Sequence, residues 1–469
     1  LYERNDMADY DSLDTLIKEA KKSAIDAYMK GQNFIIQGER YFRMEPAGPE
    51  AIVTKPDSEG LGGGTVIMGD IFPKEAFVSL FDDIRSRIDN AVGSWKGLPK
   101  PNDLDEAKEK CQKVYSAVAS EVITGGTSSE GESAINGSSA SYLFQRADLL
   151  LEEMSGSAIT AFQDNFLSEA QRILNNQCFL ALDIEAGLIA EKEAIAGTRQ
   201  AVADAVEQAQ KSFALIASGS GGGGGVDLVF DVLSSVLKIA KTAMGPDPAT
   251  AKKLDIGSTL VGSVGSIGDT MRTFHPVGGD YASVMTQFEN ALKVLGEDFK
   301  RLETLVDMNL KLDARMTRDE NNRSEFDFKY RALHSQDIDD VDKGHNPPSR
   351  EVELQIPDTN LALEISDVYL PEAASFIRGA ASDVRAINVP INRDGNVGLG
   401  PKGPSESFYE FTNLLAKLLV DMAQDIEMGA VNFRQVVQMY EEADGVNAEL
   451  LDKIADALDS ITEFTDPMR

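Results

Sequence analysis

The sequence predicts a mainly α protein, an elongated bundle of long, coiled-coil-like helices with a small β-containing insertion near residues 350–400. Three observations carry this. Apolar residues recur in steps of three and four over several long stretches, the spacing of one helix face. Aromatics make up only 7% of the chain against 42% hydrophobic residues, which favours aliphatic helix seams over large β cores. Alternation of period two is concentrated in one short region.

The chain divides into four parts: an N-terminal helical region (1–125), a long helical hairpin (142–335) with an apolar, Gly-rich head (218–279), the β-containing insertion (350–400) and C-terminal helices (405–469). Residues 12–42 read as the first helix, capped by Asp11 or Ser12, with Leu13, Ile17, Ala20, Ala24 and Ala27 on one face. Pro46 and Pro49 follow, then a Gly-rich loop. Residues 74–94 form a second helix behind Pro73, with Phe77, Phe81, Ile84 and Ile88 on its face. A third, 103–123, opens with Asp103 and Glu106 at capping-box spacing. Residues 124–141 are a Gly/Ser-rich loop.

Residues 142–217 hold a very long helical pattern through Phe162, Phe166, Ile173, Leu180, Ile184, Leu188, Val202, Val206 and Phe213. Unbroken, it would span roughly 100 Å; one or two breaks, near Gly187 or Gly197, fit equally well. The glycine run at 218–225 is a linker. A phosphate loop would need Lys-Ser/Thr after it, and Val226-Asp227 follow instead. Residues 226–279 are strongly apolar and Gly/Ser-rich, including Gly262, Gly265 and Gly268 at regular spacing. They fit a buried helical hairpin at one end of the bundle, or an apolar head that enters a membrane, as in α-helical pore-forming toxins of the cytolysin A type. Residues 281–333 form the returning helix, with Val284, Phe288, Ala291, Leu295, Phe299, Leu302, Val306 and Leu310 as the seam, antiparallel to 142–217.

The acidic stretch 335–349 fails as an EF-hand loop, because Val341 falls where the fifth-position ligand is needed. Residues 351–356 and 360–368 alternate as strands, and Arg393-Asp394-Gly395-Asn396 suggests a turn between 387–389 and 397–399. The C-terminal helix then runs through Leu415, Leu419, Met422, Ile426, Ala430, Phe433, Val437 and Tyr440. Tyr440 and Asp444 lie four apart before Gly445.

Composition removes several function classes. A net charge of -32 argues against nucleic-acid binding and against charge-driven attachment to anionic membranes. The three histidines fall in separate segments, and there is no nucleophile elbow, zinc-protease motif or Walker element. No cofactor, metal or catalytic residue is expected. Cys111 and Cys178 could form one bridge or stay as two buried thiols. Residues 1–14 lack the pattern of a cleavable secretory signal.

The run from Asp421 through Phe433 to Tyr440-Glu441-Glu442-Ala443-Asp444 resembles the C-terminal half of EspC-like and WXG-type substrates of actinobacterial type VII (ESX) secretion. It covers about forty residues. The resemblance implies that Tyr440 and Asp444 form an export signal read by the secretion machinery, an ATPase or a chaperone, with Phe433 and Val437 presenting the helix face. A Trp-x-Gly turn, the second mark of that family, occurs once at Trp95-Lys96-Gly97. In the small family members both elements share one hairpin. Here more than three hundred residues separate them, so either the two ends of the chain meet in space or the Trp95 match is accidental. The resemblance implies a non-enzymatic, secreted or surface protein that self-associates. A membrane-active toxin inserting 226–279 and an intracellular scaffold are the alternatives.

Overall fold

In the computed structural model, which describes residues 9–43, 51–55, 74–118, 139–219, 228–230, 272–274, 279–328 and 354–443, helix α1 spans Leu13–Gly31. Asp9, rather than Asp11 or Ser12, caps the turn ahead of it by accepting from Asp11 N. The helix stops well short of residue 42. Asn33 takes a left-handed φ of 63°, and the chain turns into three antiparallel strands, β1 (Ile35–Gln37), β2 (Arg40–Arg43) and β3 (Ala51–Thr54), in that order. Gly38, at φ 53°, makes the hairpin turn. Tyr41 is buried and donates to Asp26 at 2.6 Å, and Lys55 reaches the same carboxylate at 3.1 Å, pinning the sheet to α1.

Helix α2 (Lys74–Val92) ends in a 3-10 turn at Gly93–Trp95, and α3 (Asp105–Val118) follows a 3-10 turn at Pro101–Leu104. Asp103 does not cap α3. Its carboxylate accepts from Lys100 N at 3.1 Å and closes the preceding turn. Helix α4 (Ala140–Leu151) is capped by Ser139. The chain breaks next at Gly156, whose φ of 133° lets Leu354 approach, and Ser155 forms an antiparallel bridge with Gln355. Helix α5 (Ser157–Ala161), a π-helical turn (Phe162–Leu167) and α6 (Ser168–Ser218) then continue without a gap. Of the two arrangements the sequence leaves open here, the unbroken one is found: α6 has no break at Gly187 or Gly197. At Gly187 the missing side chain instead admits Phe408 and Leu310 against the helix. Gly219, at φ 74°, ends α6 in the left-handed conformation common at helix C-termini.

Two short strands, β4 (Leu228–Phe230) and β5 (Arg272–Phe274), pair antiparallel. The rest of the 226–279 head and the acidic stretch 335–349 lie outside the described residues. Helix α7 (Tyr281–Arg318) is capped by Asp280, which accepts from Ser283 N at 2.7 Å, and carries Arg315 and Arg318 in its last turn, where the helix dipole favours cations. After α8 (Glu320–Arg323) come α9 (Thr359–Glu364), a π-helical turn (Ile365–Tyr369), α10 (Leu370–Arg385) and α11 (Ser405–Ala443).

The protein is thus mainly α with a small three-stranded sheet, and among the described residues that sheet lies at 35–54 and not near 350–400. Residues 360–368 are helical because Asp358 caps α9, accepting from Asn360 N and Leu361 N. Residues 387–391 form no strand, with Ile391 N donating to Val389 O at 2.9 Å; Ile387, Val389 and Ile391 are buried and Asn388 and Pro390 exposed. They lie on helices rather than beside a strand.

α6 is the spine. α7 runs antiparallel to it, shown by Phe213 against Tyr281 (ring centroids 5.8 Å apart) at one end and Arg172 against Glu325 at the other. α1 runs parallel to it, with Asp11 on Arg199 at 2.6 Å and Ser23 on Gln210 at 3.4 Å. α11 lies antiparallel on its first half: Phe433 stacks on Phe162 at 4.5 Å, and Phe408 meets Gly187. α10 packs antiparallel along α11 through Arg378–Glu427 and Asp367–Arg434. One continuous apolar core joins these layers.

Candidate functional site

The C-terminal helix is an uninterrupted rod because its apolar residues hold one face throughout. Leu415, Leu419, Met422, Ile426, Ala430, Phe433 and Val437 are all buried. Tyr440 is half-buried and packs at the edge of the core. Asp444 lies just beyond the described residues. Phe433 and Val437 therefore do not present a face to a partner in the folded chain. Phe433 is stacked inside the bundle on Phe162, and Val437 is closed to solvent. Of Phe433, Val437 and Tyr440, Tyr440 alone keeps an accessible surface.

Trp95 closes the turn between α2 and α3. Its ring is 5% exposed and lies over Gly296 of α7, where an added Cβ would sit 3.5 Å from the ring. The Tyr10 hydroxyl donates to Trp95 O, and Leu98 N donates to the Tyr10 oxygen at 3.3 Å. Arg199 stacks over the Tyr10 ring at 4.0 Å and donates to Leu98 O at 3.0 Å. Gly97 is exposed, with open space where a side chain would go, and nothing around it demands glycine.

The two marks of the family resemblance do not meet. Trp95 sits with Arg199, and the Tyr440 end of α11 sits with Phe162. Thirty-seven residues of helix at about 1.5 Å each separate Phe162 from Arg199, about 55 Å.

The most concentrated chemistry in the fold lies along the α6–α7 seam, where sequence periodicity gives no hint of it. Arg393, from the loop between α10 and α11, donates to Glu303 of α7, and both side chains are 0% exposed. Leu399 N donates to the other Glu303 oxygen at 2.7 Å, and Arg393 Nε donates to Gly400 O at 3.1 Å. The guanidinium also covers the Phe299 ring at 4.7 Å. Glu191 of α6 faces this pair from the core. Burial, and then the charge of Glu303, push its carboxyl well above the usual carboxylate range. Further along, Asp183 of α6 and Asp313 of α7 form a second carboxyl pair. Burial pushes Asp313 up to about 7, and burial plus the Asp313 charge raise Asp183. On the far side of α6, Glu185 accepts from the Tyr115 hydroxyl and, at 3.1 Å, from Gln112 of α3.

Cys111 and Cys178 are both free thiols, buried, and raised by desolvation, Cys178 to about 12. Such thiols are inert packing groups rather than nucleophiles. Among the described residues no group of three or more His, Cys, Asp or Glu side chains is placed to hold a metal ion, and no helix is long and apolar enough to cross a membrane. A cleft of about 500 Å³ opens at the start of α11, lined by Ile387, Val389, Ile391, Lys402, Phe408 and Tyr409 among others.

Acid pairs of this kind are hidden in a sequence with seventy-seven Asp and Glu residues. The one available signal is the glycine density of 395–403, which marks a loop drawn tightly over something. Compared with known proteins, the chain matches no family model, no curated protein and no solved structure.

Proposed function

We propose that the chain is a non-enzymatic helical protein exported by a type VII (ESX) secretion system, acting outside the cell or at its surface and associating with copies of itself. The observation that carries this reading is α11. It is one continuous helix to Ala443, with its apolar face packed on the bundle and Tyr440 left partly accessible in its last turn. A machinery component that reads Tyr440 and Asp444 would find that tyrosine at a helix end, with Phe433 and Val437 acting as the packing that holds the helix. Trp95 and Gly97 have no part in that signal on this reading; Trp95 is a core residue of the opposite end. The test is export from the native host of wild type, Tyr440→Ala and Asp444→Ala, each checked for folding by circular dichroism. Retention of the folded variants, with wild type outside, supports the reading. Equal export of all three, or none of the wild type, removes it and leaves an intracellular scaffold.

A second reading, compatible with the first, is membrane activity of the 226–279 head. It is favoured by the pairing of β4 with β5, which brings the two ends of the 231–271 stretch together. Dye release from anionic and zwitterionic liposomes tests it, with a variant lacking residues 231–271 as the control. Equal release by both forms, or release by neither, excludes it.

A further inference from the structure

Glu191 has no exposure to solvent, and neither of its carboxyl oxygens finds a donor. Glu303 lies within hydrogen-bond reach of it. The Glu303 oxygens are already engaged, one by Arg393 and the other by Leu399 N. Two ionised carboxylates this close in a dry core repel, and one guanidinium neutralises only one of them. A proton on Glu191 resolves both difficulties. It turns Glu191 into the donor and Glu303 into its acceptor, and it leaves a single negative charge facing Arg393.

Among the described residues, Arg393 is the one counter-charge that acts on Glu191. From α3, Asp105 is held by Lys192, while Tyr115 and Gln112 hold Glu185. The turn ahead of α1 brings Asp11, which is bound to Arg199. α11 brings Phe408 against Gly187 and Ser407 onto Asp307 at 2.5 Å. The loop above is shaped for closure on Glu303. Gly398 and Gly403 have φ values of 59° and 50°, a Cβ on Gly403 would come within 2.8 Å of Glu303 Oε1, and one on Gly398 would overlap Oε2.

We propose that Glu191, Glu303 and Arg393 form a proton-dependent latch that pins residues 393–403, the loop leading into α11, onto the α6–α7 seam. With the proton on Glu191 the cluster is neutral. When the proton passes to bulk water, a net negative charge is left buried without a partner, and the loop carrying Arg393 loosens. Acid closes the latch and alkali opens it. This device is independent of the export reading and stands or falls without it.

Hydrogen exchange measured by mass spectrometry on the full chain tests it, with peptides covering 394–403 followed from about pH 5 to about pH 8 and corrected for intrinsic rates. Protection of the wild-type loop falls about tenfold per pH unit as pH climbs between the ordinary and the raised Glu191 values. Glu191→Gln is neutral at every pH and still donates to Glu303, so its loop stays protected throughout. Wild-type protection that is flat with pH, or a variant that opens with the wild-type midpoint, overturns the latch. Should Glu191→Gln fail to fold, infrared spectra of the Asp183→Asn/Asp313→Asn protein decide, because that variant lacks the other two raised carboxyls of the seam. A protonated carboxyl band must persist near neutral pH, where solvated carboxylates have lost theirs, and its absence overturns the proposal.

Discussion

Arg393 and Glu303 are ninety residues apart in sequence and meet with both side chains fully shielded from solvent. Removing one partner strands the other as a bare charge in the core. Arg393→Ala is therefore expected to cost about 3–5 kcal/mol in urea denaturation. Exposed pairs such as Lys311–Asp307, where the lysine side chain is 57% exposed, contribute about 0–1 kcal/mol, so Lys311→Ala serves as the control.

Asp313 gives the protein a pH-dependent stability of defined sign. Its carboxyl, ordinarily near 3.8, is raised to about 7. The folded state therefore binds more protons than the unfolded state between those values, and stability falls as pH rises through that window. Asp313→Asn is expected to reduce this slope, leaving the share that the raised Asp183 and Glu191 carboxyls contribute, and to gain on the order of a few kcal/mol at neutral pH relative to wild type and little near the acid end. Thermal melts across the window measure both arms.

Two helical glycines are expected to respond oppositely to alanine. At Gly429 of α11 a Cβ would land in the Phe166 ring, and the substitution costs about 1–3 kcal/mol through overpacking. At Gly379 of α10 no atom lies within 4 Å, the residue is exposed, and alanine stabilises by about 0.5–1 kcal/mol. Denaturation midpoints of the two variants separate packing from propensity.

Trp95 is the sole tryptophan, so intrinsic fluorescence reports on one buried site. Native emission should be blue-shifted and should move red with the same midpoint as the helical circular dichroism signal. Trp95→Ala costs about 3–5 kcal/mol. Neither cysteine should react with a thiol reagent in the native state, and both should react in denaturant, because each is buried and free.

The helix seams were legible because periodicity reports burial directly. Every seam residue assigned between Val284 and Leu310 is buried, as is every one from Leu415 to Val437. The sheet at 35–54 is hidden because the apolar pattern of α1 runs on past Gly31, although Gly31, Asn33 and Gly38 all punctuate the chain there. Residues 360–368 alternate like a strand, and the cap at Asp358 is what makes them helical. The site on α11 was readable as a helix ending in Tyr440, but the burial of Phe433 was not, since an apolar face alone does not say whether it is covered by the same chain or by a partner. Glu191 and Glu303 were invisible for a different reason. Their environment is made by a loop about ninety residues beyond the nearer of them, and no local pattern encodes it.

The placement of α11 on the spine also sets the order in which the protein can be finished. Phe162 and Phe166 are synthesised early, yet Phe433 and Gly429, which pack on them, come about 265–270 residues later. Contacts at such separation form slowly and leave apolar surface uncovered meanwhile. A nascent chain on the ribosome thus carries a slot along the first half of α6 that Phe328 closes in part and the last helix completes. The interval between translation and closure is when a chaperone would find this chain, and any truncation before α11 would lock it into that unfinished state.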